Sequence, residues 1–217
     1  VSVGWSGYMN GLLVSAGIPL PEFLRTGPYD GGSFNLLAFL IALAVTVLLV
    51  IGTSKSAKVN SVLVAIKVVA LTAIIVIAIP AVKDPNFQPF MPTGWGSPMG
   101  GIGVLGAAAS IFFAYVGFDA VSTAAEETRN PNRNIPIGLI GSLAVCTVFY
   151  LLVGYAAVGS MGAQPGGPLS QSKEPLAFVL KEIGYPAVGN AIGIAAVLAL
   201  PSVVLMMIFG QTRILFT

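Results

Sequence analysis

Long apolar runs constrain the fold of this chain more than any other feature. A membrane-spanning helix needs about 20 predominantly apolar residues, and runs of that length recur along the sequence. The predicted spans are 35–52, 60–82, 99–125, 136–158 and 187–209, with residues 1–18 as the last part of an earlier span. None of them alternates with a period of two. The sequence therefore predicts an all-α integral membrane protein.

The composition supports a membrane location and excludes several other classes of protein. Only 8% of the 217 residues are charged, against about 25% in soluble domains, so most of the surface must face lipid or other helices. The chain lacks His and has the single Cys146, which leaves no donors for most metal sites, a haem or a His-based triad. We therefore expect no cofactor, no metal and no enzyme activity. A net charge of +2 without a basic cluster also argues against nucleic acid as a partner.

Basic residues in the connectors predict the orientation of the spans. The connectors 53–59 and 126–135, with the segment 210–217, hold five Lys or Arg residues in a short length of chain. The longer connectors on the opposite side hold four, at about one third of that density. Short loops rich in Lys and Arg mark the cytoplasmic side. We therefore expect these three segments in the cytoplasm, and 83–98 and 159–186 outside.

The ends of the sequence and its last long connector complete the predicted organisation. The sequence opens on Val1 inside an apolar stretch, so we expect an internal piece of a larger protein, with 1–217 as part of one transmembrane domain. Residues 174–183 predict a short amphipathic helix at the membrane interface.

Two charged residues lie within the predicted spans, where charge costs a few kcal/mol unless it has a partner or a water-filled cavity. Lys67 lies about two turns into its span, and Asp119 lies in the span 99–125. Lys67 could instead extend its ammonium to the cytoplasmic headgroups. Asp119 could be a helix cap or the partner of a nearby polar group.

The span 99–125 is too long for a plain transmembrane helix. Its 27 residues would extend about 40 Å as a helix, against a membrane core of about 30 Å. Gly117, among aromatic residues and close to Asp119, predicts a break in this helix. Backbone groups exposed by such a break lie at mid-membrane depth only where they line a cavity, and they suit a zwitterion. A tilted helix with a packing glycine is the alternative.

Prolines mark two further local features. The segment 130–136 predicts a turn, with Pro136 as the first residue of the next helix. Pro201 lies inside the last span and frees a carbonyl, and Ser202 beside it offers a hydroxyl, although a plain kink accounts for the same pattern. Glu126, Glu127, Arg129 and Arg133 are interpreted as a solvated cytoplasmic cluster or a gate latch.

The central segment of the chain carries a recognisable family pattern. It reads Phe112-Phe-Ala-Tyr-Val-Gly-Phe-Asp-Ala-Val-Ser-Thr-Ala-Ala-Glu-Glu-Thr-Arg-Asn-Pro-Asn-Arg-Asn-Ile-Pro-Ile-Gly. This pattern resembles the sixth and seventh helices of amino acid permeases of the amino acid–polyamine–organocation superfamily, particularly cationic amino acid transporters and their bacterial relatives. Residues 3–8 resemble the end of the third helix, 58–67 the fifth, and 210–216 the segment after the eighth. The resemblance spans nearly the whole chain.

The resemblance implies a fold of two inverted five-helix repeats, with broken first and sixth helices meeting at a mid-membrane substrate site. This chain resembles the part from the third helix to the eighth. The remaining helices, including the first with its half of the substrate site, would be its partners.

The resemblance also implies roles for individual residues. Phe113 resembles the aromatic gate over the substrate, Gly117 the break, and backbone groups around Phe112, Ala114 and Tyr115 the receivers of the substrate amine. Lys67 resembles the fifth-helix lysine of proton-coupled members, whose ammonium stands where related transporters hold sodium. Ser202 falls near the eighth-helix hydroxyl that binds this sodium, and Asp119 is a further coupling candidate. The candidate substrate-binding residues are Phe112, Phe113, Ala114, Tyr115 and Gly117, and the candidate coupling residues are Lys67, Asp119 and Ser202.

Together these features predict a multi-pass transporter of the plasma or inner membrane. It would carry amino acids by alternating access, as a symporter with protons. Two alternatives stay open: a sodium-coupled or exchange-type transporter of amino acids or polyamines with the same fold, and a non-transporting membrane fragment.

Overall fold

All regular structure in the described part of the chain is helical. The computed structural model describes residues 1–27, 32–51, 57–96, 103–115, 117 and 130–215. The helices are α1 Ser2–Ser15, α2 Glu22–Arg25, α3 Leu36–Ile51, α4 Ala57–Ala78, α5 Gly103–Phe112, α6 Pro131–Met161, α7 Pro168–Gln171, α8 Pro175–Glu182 and α9 Pro186–Leu215. Short 3-10 turns occupy Ile79–Ala81, Asp84–Phe87 and Phe113–Tyr115.

Several of these helices have the length and composition of membrane spans. Within the described ranges, Ser61–Ala81, Pro131–Met161 and Pro186–Thr212 are long and apolar enough to cross a bilayer, and they correspond to the predicted spans 60–82, 136–158 and 187–209. The helices α3 and α5 are apolar but shorter. Large apolar side chains along α6, such as Ile140 and Leu151, are exposed, which is expected for a surface that faces lipid or other helices. The prediction of an all-helical, multi-pass membrane protein is confirmed.

The chain forms two compact units, which are described separately. Unit 1 comprises Val1–Ala81 with Pro165–Thr217, and unit 2 comprises Val82–Gln164.

Helix α9 is the central element of unit 1. It packs against α1, α3, α4 and α8. The core between α4, α8 and α9 is formed by Ile74, Leu180 and Ile192, which are almost completely buried. The start of α3 is fixed by Asn35, whose Oδ1 accepts the N–H of Ala38 at 3.0 Å as an N-terminal cap. The Nδ2 of Asn35 donates to the Oγ of Ser6 at 2.9 Å and so ties α3 to α1.

Close packing at Gly159 organises one end of unit 2. The carbonyl of Gly159 on α6 accepts the N–H of Lys83 at 2.9 Å and the Nδ2 of Asn86 at 2.7 Å. A Cβ at Gly159 would lie 2.8 Å from side-chain atoms of Phe87 and Val82. Glycine at this position therefore lets the turn Asp84–Phe87 approach the helix closely.

The start of α6 corrects one sequence-based prediction. We expected Pro136 to be the first residue of this helix, whereas the helix begins at Pro131 and contains Pro136 in its interior. Asn130 adopts a left-handed conformation with φ of 50°, and its carbonyl accepts the N–H groups of Arg133 and Asn134. Pro131 at the first position starts the helix without loss of a hydrogen bond, because the first N–H groups of a helix have no partner.

Candidate functional site

A hydrogen bond joins two of the predicted coupling residues across unit 1. The Nζ of Lys67 on α4 donates to the Oγ of Ser202 on α9 at 2.9 Å, although the two residues are 135 positions apart. The Ser202 hydroxyl in turn donates to the carbonyl of Ala199 at 2.7 Å. Since its own proton is used there, the Ser202 oxygen accepts from Lys67 through a lone pair. Lys67 therefore has a partner within the protein.

A second hydrogen bond to α9 involves the carbonyl that Pro201 leaves without its helical partner. Proline has no N–H, so Pro201 leaves the carbonyl of Val197, four residues earlier, without its helical hydrogen bond. The Nε1 of Trp5 on α1 donates to that carbonyl at 2.9 Å, and Trp5 is only 7% exposed. The proline in α9 thus has a specific donor from another helix.

The predicted break in the span 99–125 coincides with the end of α5. The α-helix stops at Phe112, the residues Phe113–Tyr115 form a 3-10 turn, and Gly117 has φ of 115°. Side chains other than hydrogen are strained at this φ, so glycine suits the position. A continuous helix through Gly117 is therefore excluded. The expected continuation of the span, with Asp119, lies outside the described residues, as do Glu126, Glu127 and Arg129.

Two polar side chains of α6 hold the turn after α5. The hydroxyl of Tyr150 donates to the carbonyl of Ala114 at 3.2 Å, and the hydroxyl of Tyr115 shares a hydrogen bond of 3.0 Å with the Oγ1 of Thr147. The rings of Tyr115 and Tyr150 meet edge to face, with centroids 5.3 Å apart. One of the backbone carbonyls expected to receive the substrate amine is therefore held by a tyrosine hydroxyl.

The predicted residues thus fall into two groups. Lys67 and Ser202 are in contact within unit 1, whereas Phe112, Ala114, Tyr115 and Gly117 follow one another at the end of α5 in unit 2. The Phe112 side chain is 65% exposed. The side chain of Phe113 lies outside the described part of the chain. In the described residues, no three His, Cys, Asp or Glu side chains are grouped so that they could hold a metal ion.

Sequence reasoning missed Trp5, Thr147 and Tyr150. A signal exists for the last two, because polar groups three residues apart in an apolar span lie on the same helix face. For Trp5 the signal is indirect: a proline inside a span needs a donor for the freed carbonyl, but nothing in the sequence pairs the two.

These features define the class of the protein. It is a multi-pass helical membrane protein with polar contacts between its apolar helices and a helix that ends inside a predicted span. More specifically, the chain belongs to the amino acid permease family, whose pattern it matches over residues 3–217. The members of this family are transporters, not enzymes.

Several characterised members are similar to the chain. It is 43% identical over 220 residues to the branched-chain amino acid permease BcaP of Bacillus subtilis, covering all of this chain and 45% of that protein. Identity to the methylthioribose transporter of the same organism is 38% over 218 residues, again covering all of this chain and 45% of the relative. Cationic amino acid transporter 9, chloroplastic, of Arabidopsis thaliana is 37% identical over 182 residues, which is 84% of this chain and 30% of the relative. The chain thus spans less than half the length of these relatives.

Proposed function

We propose that the protein containing this chain carries amino acids across the plasma or inner membrane by alternating access, driven by protons. The proposal that protons drive transport is supported by the hydrogen bond from Lys67 on α4 to Ser202 on α9. The transport part follows from membership of the amino acid permease family. The fold proposed for the whole protein is the inverted five-plus-five helix repeat, of which this chain supplies part of one transmembrane domain.

The geometry around Lys67 suggests how a proton acts on the two helices. A hydrogen bond from an ammonium is roughly twice as strong as one between neutral groups. Loss of the proton from Lys67 would therefore weaken the link between α4 and α9 without removing it. A link that differs in strength between two protonation states shifts the balance between two conformations, which is what coupling requires. Asp119 is the second coupling candidate.

A built-in ammonium also argues against coupling to sodium. The Lys67 Nζ already donates a hydrogen bond to the Ser202 hydroxyl oxygen, an atom that could otherwise bind a metal cation. A second positive charge beside the ammonium would be repelled by it. The sodium-coupled alternative therefore requires a cation site elsewhere, and exchange without net proton movement is the other outcome to test.

The end of α5 suits the ammonium of a bound amino acid. The C-terminal end of a helix carries partial negative charge, and α5 ends at Phe112. The carbonyl groups of Phe112, Ala114 and Tyr115 are proposed to receive the substrate amine. Gly117 is proposed as the break and Phe113 as the aromatic gate over the substrate.

A second candidate substrate follows from one of the relatives. The chain is 38% identical to a methylthioribose transporter, whose named solute is not an amino acid. A solute without an ammonium would gain less from the partial negative charge at the end of α5, which favours an amino acid.

Uptake by the full gene product containing this chain tests the proposal. Purified protein in liposomes is given radiolabelled leucine, arginine or methylthioribose, with an imposed pH gradient, a sodium gradient or neither. We expect accumulation of an amino acid that requires the pH gradient. Accumulation driven only by sodium would contradict proton coupling, methylthioribose alone would contradict the substrate class, and no uptake of any solute would support a non-transporting protein.

A further inference from the structure

A cluster of three hydroxyl side chains lies in unit 2 beside the turn that follows α5. Thr147 and Tyr150 are three residues apart on α6 and share a helix face, and Tyr115 is the last residue of the turn. The rings of Tyr115 and Tyr150 meet edge to face with centroids 5.3 Å apart. Tyr150 is 42% exposed, and Ala114 in the turn is also exposed. The described part of the chain therefore leaves this surface accessible.

The hydrogen bonds of the cluster fix the direction of each hydroxyl proton. The Thr147 hydroxyl donates to the carbonyl of Leu143 at 2.8 Å, so its single proton is used there. The hydrogen bond of 3.0 Å between Thr147 and Tyr115 must therefore be donated by Tyr115. The Tyr150 hydroxyl donates to the carbonyl of Ala114 at 3.2 Å. All three protons are thus directed into the protein.

The two tyrosine oxygens keep the ability to accept hydrogen bonds. A hydroxyl that donates its proton can still accept through its lone pairs, so Tyr115 and Tyr150 offer a ligand acceptors and not donors. The C-terminal end of α5, which carries partial negative charge, comes directly before the same turn. Both features favour a ligand group that donates hydrogen bonds and carries a positive charge.

The charged residues in the described part of unit 2 lie far from this cluster. They are Lys83, Asp84 and Arg133. Arg133 precedes Thr147 on α6 by 14 positions, or about 21 Å along the helix. The N–H of Lys83 binds the carbonyl of Gly159, which follows Thr147 by 12 positions, or about 18 Å. Within these residues, an ammonium at the cluster would be received by neutral acceptors.

An ammonium matches this surface, because it has three N–H donors and a positive charge. We propose that Thr147 is a positioning residue that determines substrate specificity. By accepting from Tyr115 it keeps the Tyr115 proton directed toward α6, so that the oxygens of Tyr115 and Tyr150 accept from the substrate and favour a solute with an ammonium. The inference rests on the proposed transport of amino acids and adds two side-chain oxygens to the groups that receive the substrate amine.

Equilibrium binding to the full gene product in detergent tests this role without transport. Radiolabelled leucine is competed with unlabelled leucine and with 4-methylpentanoate, which lacks the ammonium. Radiolabelled arginine is competed with arginine and with 5-guanidinopentanoate, which lacks the α-ammonium. The measured quantity is the selectivity, defined as the ratio of the two dissociation constants in each pair. In the natural protein we expect the amino acid to bind at least about tenfold more tightly than its counterpart.

Substitutions on both sides of the contact show whether Thr147 acts through Tyr115. Thr147→Val keeps the shape of the side chain but removes the acceptor, so the selectivity should fall about fivefold, as expected for one hydrogen bond. Tyr115→Phe should lower it at least as much, and the double variant should lose no more than Tyr115→Phe alone. Thr147→Ser keeps the hydroxyl and should keep the selectivity.

The matched control is Thr46→Val on α3. The Thr46 hydroxyl donates to the carbonyl of Ala42, four residues earlier, at 2.8 Å, as the Thr147 hydroxyl does to Leu143. Thr46→Val removes this kind of bond outside the cluster and should leave the selectivity unchanged. If Thr147→Val does not yield monodisperse protein, Tyr115→Phe tests the same contact.

Several results would overturn the inference. They are a natural protein that binds neither amino acid, counterparts without the ammonium that bind equally well, and natural selectivity in Tyr115→Phe or in a folded Thr147→Val. An equal loss in Thr147→Ser, or additive losses in the double variant, would show that the contact only packs the turn against α6. Uptake is measured on the same preparations, so that the two proposals fail separately. The expected binding without uptake contradicts only transport, and uptake with unchanged selectivity in the variants contradicts only the role of Thr147.

Discussion

The indole N–H of Trp5 donates to the carbonyl of Val197 at 2.9 Å, and this is the carbonyl that Pro201 leaves without its helical partner. One residue of α1 thus compensates for a proline in α9. The same stretch of α9 carries Ser202, which accepts the hydrogen bond of Lys67. The irregular part of α9 is therefore tied to two other helices, α1 and α4.

This relationship predicts a coupled effect on stability. Trp5→Phe keeps the ring in the buried position but removes the donor, so we expect a loss of about 1–3 kcal/mol in the free energy of unfolding. In a Pro201→Ala background the helix itself supplies an N–H to Val197, and Trp5→Phe should then cost much less. Unfolding of the four proteins in detergent measures the coupling. An equal cost in both backgrounds would show that Trp5 acts through packing alone.

Substitutions at Lys67 test proton coupling. Lys67→Ala should abolish accumulation driven by a pH gradient while substrate binding survives at least in part. Lys67→Arg should fail too, because a guanidinium does not release its proton in this pH range. Ser202→Ala should weaken accumulation less than Lys67→Ala, since it removes one hydrogen bond and keeps the charge. Lys83→Ala, at an exposed lysine outside the predicted spans, is the control. If Lys67→Arg accumulates substrate as well as the natural protein, Lys67 is a fixed structural charge.

Tyr150 is expected to position the carbonyl of Ala114. Tyr150→Phe keeps the edge-to-face contact with Tyr115 but removes the hydroxyl that holds this carbonyl. Loss of this hydrogen bond should weaken substrate binding by about 1 kcal/mol and so raise the KM for uptake about fivefold, with little change in the maximal rate. Tyr155→Phe on the same helix, where Tyr155 stacks on Phe87, is the control. Equal KM values in the two variants would contradict a role for the Tyr150 hydroxyl.

The proposed aromatic gate is tested at Phe113. Phe113→Ala should strongly reduce uptake while the protein still inserts and folds, because packing over the substrate is lost and the spans are unchanged. Uptake kinetics over low and saturating substrate, together with the yield of monodisperse protein, separate these effects. Normal transport at both concentrations would show that Phe113 is only a packing residue.

The distribution of basic residues predicts the topology. The connectors 53–59 and 126–135 are expected in the cytoplasm and 83–98 outside. Ser56→Cys in a Cys146→Ala background should therefore resist an impermeant maleimide in intact cells and react after permeabilisation, whereas Ser97→Cys should react in intact cells. Labelling of Ser56→Cys from outside would reverse the assignment.

The membrane class and the positions of the long helices could be predicted because they depend on local properties. In lipid, the backbone N–H and C=O groups of an apolar run must find their hydrogen-bond partners within the run. A run of sufficient length therefore forms a helix, whatever surrounds it. The sequence predicts a break at Gly117, because an overlong span is expected to break and glycine most readily adopts the backbone angles of a break. The start of α6 was predicted incorrectly, because two prolines five residues apart both have the chemistry of a first helical residue, and the left-handed conformation of Asn130 decides between them.

The pairings between distant residues could not be predicted in the same way. The sequence marked Lys67, Pro201 and Ser202 as polar or irregular residues in apolar spans, each of which needs a partner. It did not mark Trp5, because an indole in an apolar segment is equally suited to packing. Likewise, Glu174 is an ordinary polar residue until Gly11 of α1 allows its carboxylate to pack against that helix.

The sequence by itself therefore determined that this is a multi-pass helical membrane protein, which family it belongs to, and which residues cannot remain unpaired in lipid. Only the tertiary structure decided which groups form the hydrogen bonds between these segments. Ser202 is the partner of Lys67, Trp5 that of the Val197 carbonyl, and Tyr150 that of the Ala114 carbonyl. The physical reason is that apolar length and proline or charge content act within one helix, where the local sequence suffices. Hydrogen bonds between helices depend on the packing of segments up to nearly 200 positions apart, as between Trp5 and Val197, and a single sequence does not specify that packing.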